Sequence, residues 1–108
     1  MAKYLFIESR DPFDSADSEY FSELVQGVSS RGNEATLFLV QNGVLPLRRG
    51  SKHNETISRL VNGKVKVLAD GFSLNERGIN KLVDGVETCD MSRLIDLLLE
   101  PGIKAIWH

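Results

Sequence analysis

Short apolar segments alternate along the whole chain with segments that carry a helical stripe, and this alternation restricts the fold more than any other property of the sequence. Lys3–Glu8, residues 35–40 and residues 65–68 are rich in β-branched and aromatic side chains and are bounded by polar residues or glycine, which is the pattern of strands. The second of these is apolar on both faces, as a strand inside a parallel sheet must be when helices cover it on either side. Ile103–Trp107 gives a last strand, and residues 86–88 give a fourth before it.

Between the first two strands, Phe21, Leu24, Val25 and Val28 follow the i, i+3, i+4, i+7 spacing of an amphipathic helix spanning about residues 15–31. Asp14, Ser15 and Asp17 offer oxygens to cap its start, and Arg31-Gly32-Asn33 closes it. A shorter helix follows Asn54, with Ile57, Leu60 and Val61 inward and Asn62-Gly63 at its end. A third runs from Met91 to Glu100 behind an Asp90 cap, with Met91, Leu94, Ile95 and Leu98 inward, and Pro101-Gly102 stops it. Strands that alternate with helices need right-handed crossovers, so the expected fold is an α/β, three-layer α/β/α sandwich on an open, mostly parallel five-stranded sheet. The alternative is an α+β domain with an antiparallel edge.

At 108 residues the chain has room for one core, and no linker or repeat divides it, so a single domain over residues 1–108 is expected. Its 42% apolar and 26% charged residues are a globular balance. A net charge of −2, with Arg48-Arg49 as the sole adjacent basic pair, gives nucleic acid nothing to bind. The segment after Met1 turns polar too soon for a signal sequence or a membrane span, so a cytoplasmic protein without a membrane partner is expected. One cysteine and two histidines supply no metal-ligand spacing, and no cofactor is implied.

In an open parallel sheet, ligands bind outside the carboxyl ends of the strands. That edge gathers Glu8-Ser9-Arg10-Asp11, Gln41-Asn42-Gly43, Ala69-Asp70-Gly71, Cys89 and Trp107-His108. Arg10 is a candidate anion ligand at the start of the first helix. Asp70, before Gly71, is a candidate ligand or base, or else plain turn chemistry. Cys89 is the one nucleophilic sulfur and the candidate catalytic residue; His108 becomes its neighbour if the fourth and fifth strands lie side by side. The other reading of Cys89 is a small buried apolar residue, and Glu87 and Asp90 beside it raise a thiol pKa. No glycine-rich phosphate loop follows the first strand, which argues against a nucleotide site. The apolar run Val44-Leu45-Pro46-Leu47 stands where a surface loop is expected and is assigned to a subunit interface, with the polar residues 48–53 after it mobile in a free chain.

Thr36-Leu37-Phe38-Leu39-Val40-Gln41-Asn42-Gly43-Val44, followed by a strand, a loop and Glu76-Arg77-Gly78-Ile79, resembles the DsrE/DsrF-like family, which includes the sulfur-relay subunits DsrE and TusD. The resemblance runs from Lys3 to the last strand. It implies an α/β/α domain, a homo-oligomer (trimer or hexamer), a sulfur-relay protein partner, and a pocket with altered chemistry at the strand ends, where Arg10, Asn42, Gly43, Asp70 and His108 are the candidate ligand-binding residues. It also implies a persulfide-carrying cysteine just after the third strand. Counting back from Arg77-Gly78-Ile79, that position falls at or beside Asp70, and an aspartate cannot form a persulfide. The expected function is therefore that of a DsrE-like accessory protein of sulfur metabolism or sulfur relay, binding a partner protein or a small sulfur species. The alternatives are a sulfurtransferase using Cys89 and a small-molecule or anion-binding module on the same fold.

Overall fold

A computed structural model describes residues 1–108. Its five strands are β1 (Lys3–Glu8), β2 (Glu34–Leu39), β3 (Lys66–Asp70), β4 (Val86–Cys89) and β5 (Ile103–Trp107), and they form one sheet in the order β4-β3-β2-β1-β5. All four pairings are parallel, with Phe6 opposite Leu37 and Ile106, and Asp70 opposite Cys89. The antiparallel-edge alternative is thereby excluded. The helices are α1 (Asp17–Ser30), α2 (Asn54–Asn62), α3 (Gly71–Glu76) and α4 (Met91–Leu98), with a 3₁₀ helix at Gln41–Leu47.

The strand order decides which face each helix covers. From β1 to β4 the chain steps outward strand by strand, so right-handed crossovers keep α1, α2 and α3 on one face. The step from β4 to β5 runs back across the whole sheet and puts α4 on the other. The two cores follow: Phe6, Leu37, Leu39, Val67 and Ala69 pack with Phe21, Val25, Ile57, Leu60 and Leu74, while Leu5, Ile7, Phe38 and Leu68 pack with Leu94. Alternation of side chains along β1 therefore turns Glu8, in step with Tyr4 and Phe6, toward the α1 face.

Several sequence expectations change. Val44 and Leu47 are fully buried in this chain's own core, so the apolar run is covered by a tightly wound 3₁₀ turn and not by a second subunit. The segment after it makes hydrogen bonds from Arg49 N–H to the Lys81 carbonyl (2.8 Å), Arg49 Nη2 to Asp84 Oδ1 (2.8 Å) and Gly50 N–H to Asn54 Oδ1 (2.9 Å). On α4 Leu94 is buried and Leu97 packs partly beside it. Met91, Ile95 and Leu98 are largely exposed, because a single helix lying on a flat sheet face buries a narrower stripe than the sequence offers. Leu24 of α1 is also exposed. The α1 start is Ala16, with no side-chain cap from Asp14, Ser15 or Asp17. Asp11 shapes the turn before it instead, its carboxylate accepting from Phe13 N–H at 2.8 Å and its carbonyl from Ser15 N–H at 2.9 Å. No helix is long and apolar enough to cross a membrane.

Candidate functional site

The carboxyl edge of the sheet carries three separate groups of polar side chains. The first lies at the ends of β2 and β3. Asp70 ends β3 and caps α3: its Oδ2 accepts from Ser73 N–H at 3.1 Å and from the Ser73 hydroxyl at 2.7 Å, and Ser73 Oγ in turn accepts from Gln41 N–H at 2.8 Å. Gln41 sits in the left-handed region at φ 51°, a conformation that costs a non-glycine residue energy and is held here by that bond. Asn42 Oδ1 accepts from Arg77 Nε at 3.1 Å and Nη2 at 3.0 Å, and Arg77 Nη1 reaches the Ser73 carbonyl at 3.1 Å. Gly43 passes so close to the end of β1 that a Cβ would overlap Glu8 O and lie 2.9 Å from its carbonyl carbon. Asn42, Gly43 and Asp70 thus form a clasp between the ends of β1, β2 and β3. The two sequence stretches that carried the family resemblance meet in it. Asp70 Oδ1 is buried without a partner, so one carboxylate oxygen of the clasp stays unused.

The second group is Cys89 at the end of β4. It is half-buried and packs against the core on the α4 face. Burial raises its thiol pKa above the ordinary value, Arg93 lowers it, and Glu87, Asp90 and Asp70 raise it further. At neutral pH it is a thiol, not a thiolate. The Cys89/His108 couple does not form, because β4 and β5 are the two opposite edges of the sheet. Four strand spacings separate them, about 19 Å.

The third group surrounds the end of β1, between β2 and the edge strand β5. His108 continues the β5 pairing, its N–H donating to the Ile7 carbonyl at 2.8 Å, and its Nδ1 lies 2.8 Å from Glu8 Oε2 and 3.1 Å from Oε1. A carboxylate only accepts, so Nδ1 is the donor. Arg10 N–H donates to Glu8 Oε1 at 2.9 Å, and the His108 ring stacks on Phe21 with 4.9 Å between centroids. Beside this pair, between the starts of α1 and α2, is a cavity of about 160 Å³ lined by Glu8, Arg10, Ser18, Phe21, Leu39 and His53 among others. Of the residues singled out in the sequence, Arg10 and Gly43 touch this cavity, while Asn42, Asp70, Cys89 and His108 do not. Glu8 stands in the first of the strand-end stretches, as a carboxylate at the end of an apolar strand in register with the buried Phe6, whereas Ser18 and His53 carry no signal as site residues in the sequence.

Comparison with known proteins gives a consistent placement. The model of the DsrE/DsrF-like family matches residues 2–106. The structure is similar to that of the YchN protein from E. coli, with a TM-score of 0.86 and 21% identity over 98% of this chain and 100% of that one. It is similar to the protein MTH1491 from Methanobacterium thermoautotrophicum, of unknown function, with a TM-score of 0.85 and 19% identity over the full length of both. A third similar structure is the protein BT1422 from Bacteroides thetaiotaomicron, also of unknown function, with a TM-score of 0.77 and 14% identity over 98% of this chain and 95% of that one. At these identities the likeness carries the fold. No curated protein matches the chain.

Proposed function

We propose, from the premise that this chain belongs to the DsrE/DsrF-like family, that it is an accessory protein of sulfur metabolism or sulfur relay that binds a partner protein or a small sulfur species and carries no persulfide itself. Family membership ties it to sulfur metabolism in general terms; the accessory role is our reading of the site. The observation that carries this reading is Asp70. Where the resemblance puts a sulfur-carrying thiol, the chain has a carboxylate that is 4% exposed and bound to Ser73 as a helix cap, and a carboxylate has no sulfur chemistry. The competing reading, a sulfurtransferase that uses Cys89, lacks what a persulfide carrier needs. Its thiol pKa is raised, not lowered, and no histidine lies near it to accept the proton.

A homo-oligomer, trimer or hexamer, belongs to the same proposal, although the run Val44 to Leu47 no longer supports it. Support comes from the exposed apolar side chains of α4, Met91, Ile95 and Leu98, which this chain leaves uncovered. Treatment with a persulfide donor followed by intact-mass analysis tests the accessory role. A stable gain of one sulfur atom would defeat it.

A further inference from the structure

We propose that the cavity between the start of α1 and the start of α2 binds a small organic anion: a molecule of about one six-membered ring that carries one carboxylate or comparable oxyanion group. The inference rests on the reading above only in taking this chain to bind a small ligand, and nothing in it depends on sulfur.

Size comes from the cavity itself. Its volume is about 160 Å³, close to the roughly 150 Å³ of an engineered cavity known to take up benzene. Phe21, Leu37, Leu39 and Ile57 give the ring an apolar wall. The preference for an anion comes from two helices of 14 and 9 residues, α1 and α2, which both begin at this wall. Each brings the partial positive charge of its first N–H groups to the same space. Neither start is closed by a side chain, whereas Asp70 and Asp90 close the starts of α3 and α4.

An independent observation points the same way. Ser18, in the cavity wall and 6% exposed, has a hydroxyl without a hydrogen-bond partner, and so does His53 Nε2 on the opposite side. Buried polar atoms in native proteins are nearly always paired, and a hydroxyl and an imidazole N–H are both donors suited to an oxyanion. Arg10 stands at the rim, with its nearest carboxylate, Asp17, at 4.0 Å, the outer limit of an ion pair. The wall also holds Glu8, but both its oxygens are engaged by His108 and the Arg10 N–H, and Glu19, which faces solvent. The Ser18 hydroxyl and His53 Nε2 therefore remain for the ligand.

Benzoate is the probe, with benzamide as its neutral isostere, each titrated into the full chain and followed by amide NMR. We expect saturable shifts at Ser18, His53 and their neighbours with benzoate, and binding of benzamide weaker by roughly tenfold or more, as the loss of one charge-assisted contact implies. Ser18→Ala should weaken benzoate several-fold while leaving the melting temperature of the free protein unchanged or higher, since it removes a hydroxyl that has no partner; a merely structural serine would show the reverse. If that variant does not fold, His53→Phe keeps the ring, deletes the nitrogen and should weaken benzoate in the same way. Absence of saturable shifts at the cavity, equal affinity for the two probes, or unaltered benzoate affinity in the folded variant would overturn the proposal. A sulfur adduct on Cys89 would defeat the accessory reading and leave these results untouched.

Discussion

Replacing Asp70 separates the two roles a carboxylate could have at the end of β3. In the structure its Oδ2 accepts two hydrogen bonds from Ser73, at 3.1 and 2.7 Å, and Ser73 passes the connection on to Gln41. Asp70→Ala removes a helix cap, worth about 1–2 kcal/mol, and leaves the buried Ser73 hydroxyl without its acceptor, worth about another 1 kcal/mol. The expected loss is about 2–3 kcal/mol, which at roughly 4 °C per kcal/mol for a domain of this size lowers the melting temperature by about 8–12 °C. Asp70→Asn keeps an accepting oxygen and is itself a good cap, so it should cost less than about 1 kcal/mol. Urea denaturation of the two variants beside the parent gives both numbers. If the asparagine variant is as unstable as the alanine variant, the negative charge and not the capping geometry holds this site, and the structural account of Asp70 is wrong.

Other substitutions test the remaining parts of the account. Gly43→Ala forces a methyl group into the Glu8 backbone and should cost about 3 kcal/mol or more, or prevent folding, as read by denaturation or soluble yield; a loss under 1 kcal/mol would mean the strand ends lie further apart. The rate of Cys89 alkylation as a function of pH should have its midpoint above the ordinary thiol value, because burial, Glu87, Asp90 and Asp70 all favour the protonated form. Arg93→Ala should move that midpoint higher still, since Arg93 is the group that lowers it. For the assembly, light scattering should give a trimer or hexamer, and Ile95→Asp should lower the mass without unfolding the chain, because Ile95 is 54% exposed in the subunit. A monomeric mass for the parent at micromolar concentration would remove the oligomer from the proposal.

The alternation of strand and helix patterns is enough to give the parallel sheet, its five strands and the helices α1, α2 and α4, because each local period reports which face of an element is apolar; α3, of six residues, is too short to show a period. What periodicity does not encode is the order of strands in the sheet. Residues 89 and 108 both follow strands and both reach the carboxyl edge, yet the β4 to β5 crossover carries them to opposite sides of the molecule. Nor does periodicity say what covers a stripe: Met91, Ile95 and Leu98 of α4 keep helical spacing whether they meet this chain's sheet or another surface. Val44 to Leu47 misled in the opposite sense, since a 3₁₀ turn has neither the strand nor the α-helix period and its burial arises from contacts distant in sequence. The cavity was the least legible part. Ser18 is one serine among several near a helix start, and His53 is a lone histidine set in place by Phe13, 4.5 Å away between ring centroids and distant in sequence.

Intact-mass analysis of the purified chain after incubation with a small-molecule persulfide donor, run in parallel on Cys89→Ser, tests the central claim most directly. The account predicts no stable addition of one sulfur atom to either protein, since Asp70 stands where the family resemblance places the thiol and Cys89 is held as a protonated thiol on the opposite edge of the sheet from His108. A one-sulfur adduct on the parent that is missing from Cys89→Ser would contradict it and identify the chain as a sulfur carrier through Cys89.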